Sequence, residues 1–170
     1  MAISFGILIL RVVIGLVVAA HGAQKLFGWF GGRGFASTIG WLQSLGFRPA
    51  PLWATLAVIS EFGGGLLLAL GFLTPLAATG VFASMLMATL KYNWSKGFWN
   101  TNGGYEYTLV LLVMALVAGI TGPGSYSIDA LLNLAFSFWF FGVLLVVALI
   151  VVATGLITSA RYLSEQHAAS

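Results

Sequence analysis

The 170-residue sequence contains no cysteine. Disulfides, thiol chemistry and Fe–S ligation are therefore excluded for this chain. Charge is almost as scarce. Asp, Glu, Lys and Arg together make up 6% of the residues, against roughly 25% in a soluble domain. So few charges cannot coat a water-facing surface. The formal net charge is +3, but the basic residues form no run, so nucleic acid is not an expected partner. The two histidines stand far apart, His21 in an apolar run and His167 in the tail. A bis-histidine haem within one chain is thereby excluded. His21 with Glu61 and Glu106 is too small a set for a metal cluster. There is no GxSxG elbow, P-loop or dinucleotide fingerprint. No Lys or Arg precedes the first apolar stretch, so a cleaved signal peptide is not expected.

What the sequence does have is apolar length. Hydrophobic residues make up 60% of it. Runs approach the ~20 residues that cross the hydrocarbon core as helix. Five spans are expected, at about Ile3–Gln24, Leu52–Leu73, Leu76–Leu90, Tyr105–Ile120 and Leu132–Thr158. The runs are continuous rather than alternating, which argues against barrel strands. The fold class is therefore an all-α integral membrane protein.

Basic residues alternate by loop. Lys25, Arg33 and Arg48 lie between spans one and two, Lys91 and Lys96 between three and four, and Arg161 after five. The opposite loops, Phe72–Pro75 and Thr121–Asp129, hold no Lys or Arg. The positive-inside rule then places the N-terminus outside and the C-terminus in the cytoplasm. Phe35–Leu45 is expected to form a short interfacial helix with Trp41 at headgroup level.

Arg11, His21, Glu61 and Glu106 lie within or at the rim of the spans, with Gln24 and Lys25 closing span one. Intramembrane charges tend to pair with one another. At a rise of 1.5 Å per residue, Glu61 lies roughly 12 Å deep and Arg11 roughly 18 Å deep. His21 and Glu106 fall within roughly one turn of the basic face. Depth thus suggests a deep Arg11–Glu61 pair and a shallow His21–Glu106 pair. Arg11, Gly15, Val18, Gly22 and Lys25 share one helical face. Gly63, Gly64 and Gly65 follow Glu61 and permit close helix approach.

A quinone site needs donors near each ring oxygen and apolar or aromatic walls. Arg11, His21, Glu61 and Glu106 could supply the polar part, and Phe27, Trp29, Phe30, Phe98, Trp99 and Tyr105 the mouth. Electrons would have to come from a quinone, a flavin or a partner protein, so the chain is not expected to be catalytic alone. The alternative is a non-catalytic membrane scaffold or assembly subunit. A transport role finds little support, because no broken-helix pair is evident.

Three segments carry a family resemblance: LRVVIGLVVAAHGAQKLFGWFGG (10–32), EFGGGLLLALGFLTPLAA (61–78) and GGYEYTLVLLVMALVAGITGPGSYSID (103–129). The sequence resembles the DoxX family of small bacterial and archaeal membrane proteins. The resemblance implies a four-helix bundle over residues 1–129, in the cytoplasmic membrane, loosely associated with quinone-linked oxidoreductases. It places the family's polar signature on Arg11, His21, Gly22, Lys25, Glu61 and Glu106, so a bound quinone would lie among Arg11, His21, Lys25, Glu61 and Glu106. Membrane lipid, and either another subunit or a second copy of the chain, are the implied partners. The extra span over 130–160 departs from the family pattern. It either anchors the bundle in lipid, docks a partner or covers a gap open to lipid. A polar tail, 161–170, follows.

Overall fold

The computed structural model describes residues 2–169, with the side chains of His167 and residue 169 outside the described set. Among the described residues there is helix and no strand. Helix α1 is Ala2–Leu26 and the short α2 is Gly34–Ser44. A long rod follows, made of α3 (Ala50–Val58), a π-helical turn (Ile59–Gly63) and α4 (Gly64–Leu70). Helix α5 is Thr74–Ala88, extended by a second π turn over Thr89–Asn93. After two 3₁₀ turns come α6 (Glu106–Thr121), the one-turn α7 (Ile128–Leu131) and α8 (Phe138–Ala169).

The rod α3–α4, α1 and α8 are each long and apolar enough to cross a membrane; α5 and α6 are shorter. Large apolar side chains such as Val13, Leu16, Val143, Val147 and Ile150 point outward. This is the surface a bilayer requires, since lipid rather than water is the solvent.

Local sequence sets the helix ends. Pro51 and Pro75 sit in the first turns of α3 and α5, where a missing N–H removes no helical bond. Gly71, at φ +64°, takes the left-handed conformation that closes α4. The fifth span begins later than expected. Asn133 has φ +53°, and the Ser137 hydroxyl accepts the Phe140 N–H at 3.1 Å, so the helix is capped there. At its far end α8 runs on through Arg161 to Ala169.

Small residues set the packing of α1 on the rod. A Cβ on Gly15 would come 2.5 Å from the Ala69 nitrogen, and one on Gly65 would come 2.6 Å from the Ala19 nitrogen. Backbone therefore meets backbone, which is how helices gain contact where lipid offers no hydrophobic drive. Gly64 has only ordinary contacts, and a Cβ on Gly63 meets nothing within 4 Å. Of the three glycines, close packing thus needs Gly65. The main core lies between α1, α4, α5 and α6, around Ile14, Val18, Leu68, Val81, Phe82, Leu111 and Ala115. Phe141 joins it from α8 and stands where a side chain on Gly119 would be.

Helix α2 forms where the short interfacial helix was expected, but it folds back onto α1 and α3. Leu42, Phe47 and Ala54 form a second small core beneath it, with Trp53 and Met87 packed alongside. Helix α8 lies along α5 and is tied to the α2–α3 corner. There the Arg48 guanidinium lies 4.6 Å from the Tyr162 ring centroid and donates to its hydroxyl at 3.0 Å.

Candidate functional site

Glu61 lies in the π turn of the rod and is 1% exposed. One extra residue per turn re-aims the side chains on either side of such a turn, and π turns recur at functional sites. Its carboxylate forms an ion pair with Lys25, whose ammonium donates to both oxygens. The Ser84 hydroxyl on α5 donates to Glu61 Oε1 at 2.6 Å. Three helices thus converge on one buried carboxylate. Lys25 belongs to the last turn of α1. The Thr38 hydroxyl on α2 lies 3.1 Å from the Lys25 carbonyl and 3.0 Å from that of Gly34, and serves one of them.

The expected Arg11–Glu61 pair is not formed. Helices α1 and α3–α4 run antiparallel with Gly22 against Phe62 and Gly15 against Ala69. This register puts Arg11 beside Gly71, about 15 Å further along the rod than Glu61 at 1.5 Å per residue. The ionic partner follows from the glycine contacts, and it is Lys25. Arg11 is fully buried, and its Nη2 donates to the Tyr126 carbonyl at 2.6 Å.

Arg11 shares that end of the bundle with Asp129, which is also fully buried. Asp129 Oδ1 accepts the Leu73 N–H at 2.8 Å; Oδ2 accepts the Thr74 N–H at 2.9 Å and its hydroxyl at 2.7 Å. The carboxylate therefore caps α5 and fixes the turn between α4 and α5. Sequence reasoning left Asp129 as a loop residue. Its signal was being the one acid in a segment without Lys or Arg.

The expected His21–Glu106 pair is also not formed. His21 Nε2 lies 3.0 Å from the Tyr107 hydroxyl, and Nδ1 lies 3.1 Å from Gln24 Oε1. Helix α6 starts at Glu106, and one residue further on is a rotation of about 100°. Tyr107 faces α1, while Glu106 turns to its own loop and accepts the Asn100 N–H at 3.0 Å.

A partly open cavity of about 140 Å³ lies between α2, α3, α5 and α8, with the end of α1 at its edge. Its polar members are Lys25, Ser60, Glu61, Ser84, Lys91 and Tyr92. Trp41, Phe47 and Trp53 supply aromatic walls, and Val151 and Val152 of α8 close one side. Arg11, His21 and Glu106 do not line it. Neither do the aromatics expected at the mouth. Phe27 stacks on Trp29 at 4.6 Å, and Tyr105 on Trp94 at 4.9 Å, in separate clusters. Of the expected binding residues, the structure thus brings Lys25 and Glu61 together at a cavity.

The loops that carry Lys and Arg gather at this end of the bundle. Lys91 Nζ lies 5.7 Å from the Phe47 ring centroid and Lys96 Nζ 3.3 Å from that of Tyr92. Among the described residues, no His, Cys, Asp and Glu cluster could hold a metal ion.

Helices with lipid-facing apolar surfaces, closed around a polar cluster, define a multi-pass α-helical membrane protein. The chain belongs to the DoxX family, whose sequence model matches residues 6–94. That stretch contains Lys25, Glu61, Ser84 and Lys91, and stops short of α6 and α8. The chain is 31% identical over 130 residues to the inner membrane protein YqjF of Escherichia coli (strain K12), covering 75% of this chain and 92% of that protein. It is 28% identical over 132 residues to the inner membrane protein YphA of the same organism, covering 72% and 87%. No solved structure matches the chain. The relatives place it among multi-pass inner membrane proteins.

Proposed function

We propose that this protein is a quinone-binding subunit or accessory protein of a membrane redox system, with its cation-rich end in the cytoplasm. One observation carries the reading: a buried carboxylate and its ammonium partner edge an apolar, aromatic-walled cavity within the bundle. The cavity's size suits one ring, since an apolar cavity of ~150 Å³ takes up benzene. The donor set suits a ring oxygen. Lys25 has three N–H bonds. Two are committed to Glu61, which leaves one for a carbonyl. Reducing a quinone to a quinol takes two electrons and two protons. The electrons come from a partner subunit or a flavin. Glu61 is the group placed to pass a proton.

The test is organic extraction of the purified protein followed by mass spectrometry for quinones, with Glu61→Gln in parallel. Near-stoichiometric quinone in the wild type, lost in the variant, supports the site. Trace amounts in both would shift the reading to a scaffold. The fully paired Glu61 favours that second reading, because a Lys25–Glu61–Ser84 clamp can serve assembly alone.

A further inference from the structure

The charges around the cavity do not balance. Glu61 and Lys25 cancel as an ion pair. Lys91 also lines the cavity and, among the described residues, pairs with no carboxylate. Its ammonium has only the face of Phe47. Of the other acids at this end, Glu106 is turned to the Asn100 N–H, and Glu165, on the last turns of α8, does not line the cavity. The Lys91 ammonium is part-buried, so it faces the cavity with water and no anion beside it. The cavity walls therefore carry one uncompensated positive charge beside a space for one ring.

We propose that the cavity selects a ring ligand bearing an acidic group, bound as its anion, with Lys91 as the counter-ion. The inference rests on the quinone-site reading and narrows it from quinones in general to acidic ones, such as hydroxyquinones, or the anionic forms of quinols. Lys25 and Glu61 then address a ring oxygen on the inner side, while Lys91 takes the ionised substituent nearer the mouth. Lys91 is the specificity-determining residue and takes no proton in any reaction.

The experiment uses two probes of matched shape. One is 2-hydroxy-1,4-benzoquinone, a single ring that is ionised at neutral pH. The other is 2-methoxy-1,4-benzoquinone, which cannot ionise. Each is titrated into full-length protein in lipid nanodiscs, following quenching of the cavity tryptophans, Trp41 and Trp53. Wild type is expected to prefer the hydroxy probe about tenfold, the worth of one charge-assisted contact. Lys91→Gln should abolish the preference and Lys91→Arg retain it. Lys96→Gln, at a lysine over the Tyr92 ring that does not line the cavity, should leave it intact. Equal binding of both probes by wild type, or a preference that survives Lys91→Gln, overturns the inference and leaves the quinone reading standing. Binding of neither probe overturns both.

Discussion

Removing the cation from the Lys25–Glu61 pair should unfold the protein more readily than removing both charges. In Lys25→Met the Glu61 carboxylate stays 1% exposed in its π turn and keeps only the Ser84 hydroxyl. Stranding a buried charge in this way costs about 3–5 kcal/mol. Lys25 is 26% exposed, so water already screens part of the attraction and the low end, about 3 kcal/mol, is expected. The double variant Lys25→Met, Glu61→Gln strands no charge. Its amide can still meet Ser84, and it should recover most of the loss. Reversible denaturant titration in mixed micelles gives the three stabilities, and the double-mutant cycle gives the coupling. A double variant as unstable as Lys25→Met would refute the reasoning, because the loss would then come from the Lys25 stem and not from an orphaned carboxylate.

Gly65→Val should abolish the folded monomer, because its Cβ would lie 2.6 Å from the Ala19 backbone; Gly63→Ala, with open space around it, should be tolerated, as size exclusion and melting of the two variants will show. Asp129→Ala removes three bonds to Leu73 and Thr74 and should cost about 2 kcal/mol, measured by the same titration. Because the chain has no cysteine, Ser125→Cys and Ser95→Cys each introduce a single label site. On intact cells a membrane-impermeant maleimide should mark Ser125→Cys and spare Ser95→Cys; the reverse pattern would invert the orientation.

The helices were legible because apolar length is written directly in the chain. Glu61 stood out for the same reason, as a carboxylate in an oily run. Its partner was not legible from depth, because depth assumes where each helix meets the interface. The actual register comes from Gly15 and Gly22 meeting Ala69 and Phe62, and it moves Arg11 to the far end. A rotation of one residue likewise separates Tyr107, which meets His21, from Glu106, which does not. The cavity was hidden for a different reason. Its walls come from five helices spread from Lys25 to Val152, and only the tertiary fold puts Lys91 near Glu61. Aromatics close to a polar residue in sequence, such as Phe27 and Trp29 after Lys25, pack instead on one another.

Helix α8 gives the cavity a division of labour. The acid, the two lysines and Ser84 all fall inside the stretch that matches the family, 6–94. The wall made by Val151 and Val152 lies outside it. A change of side chain at either valine would reshape the chamber without touching the ion pair or its hydroxyl partner. The volume of the chamber can therefore be altered from the C-terminal helix, while the charges that line it stay with the bundle that the helix covers.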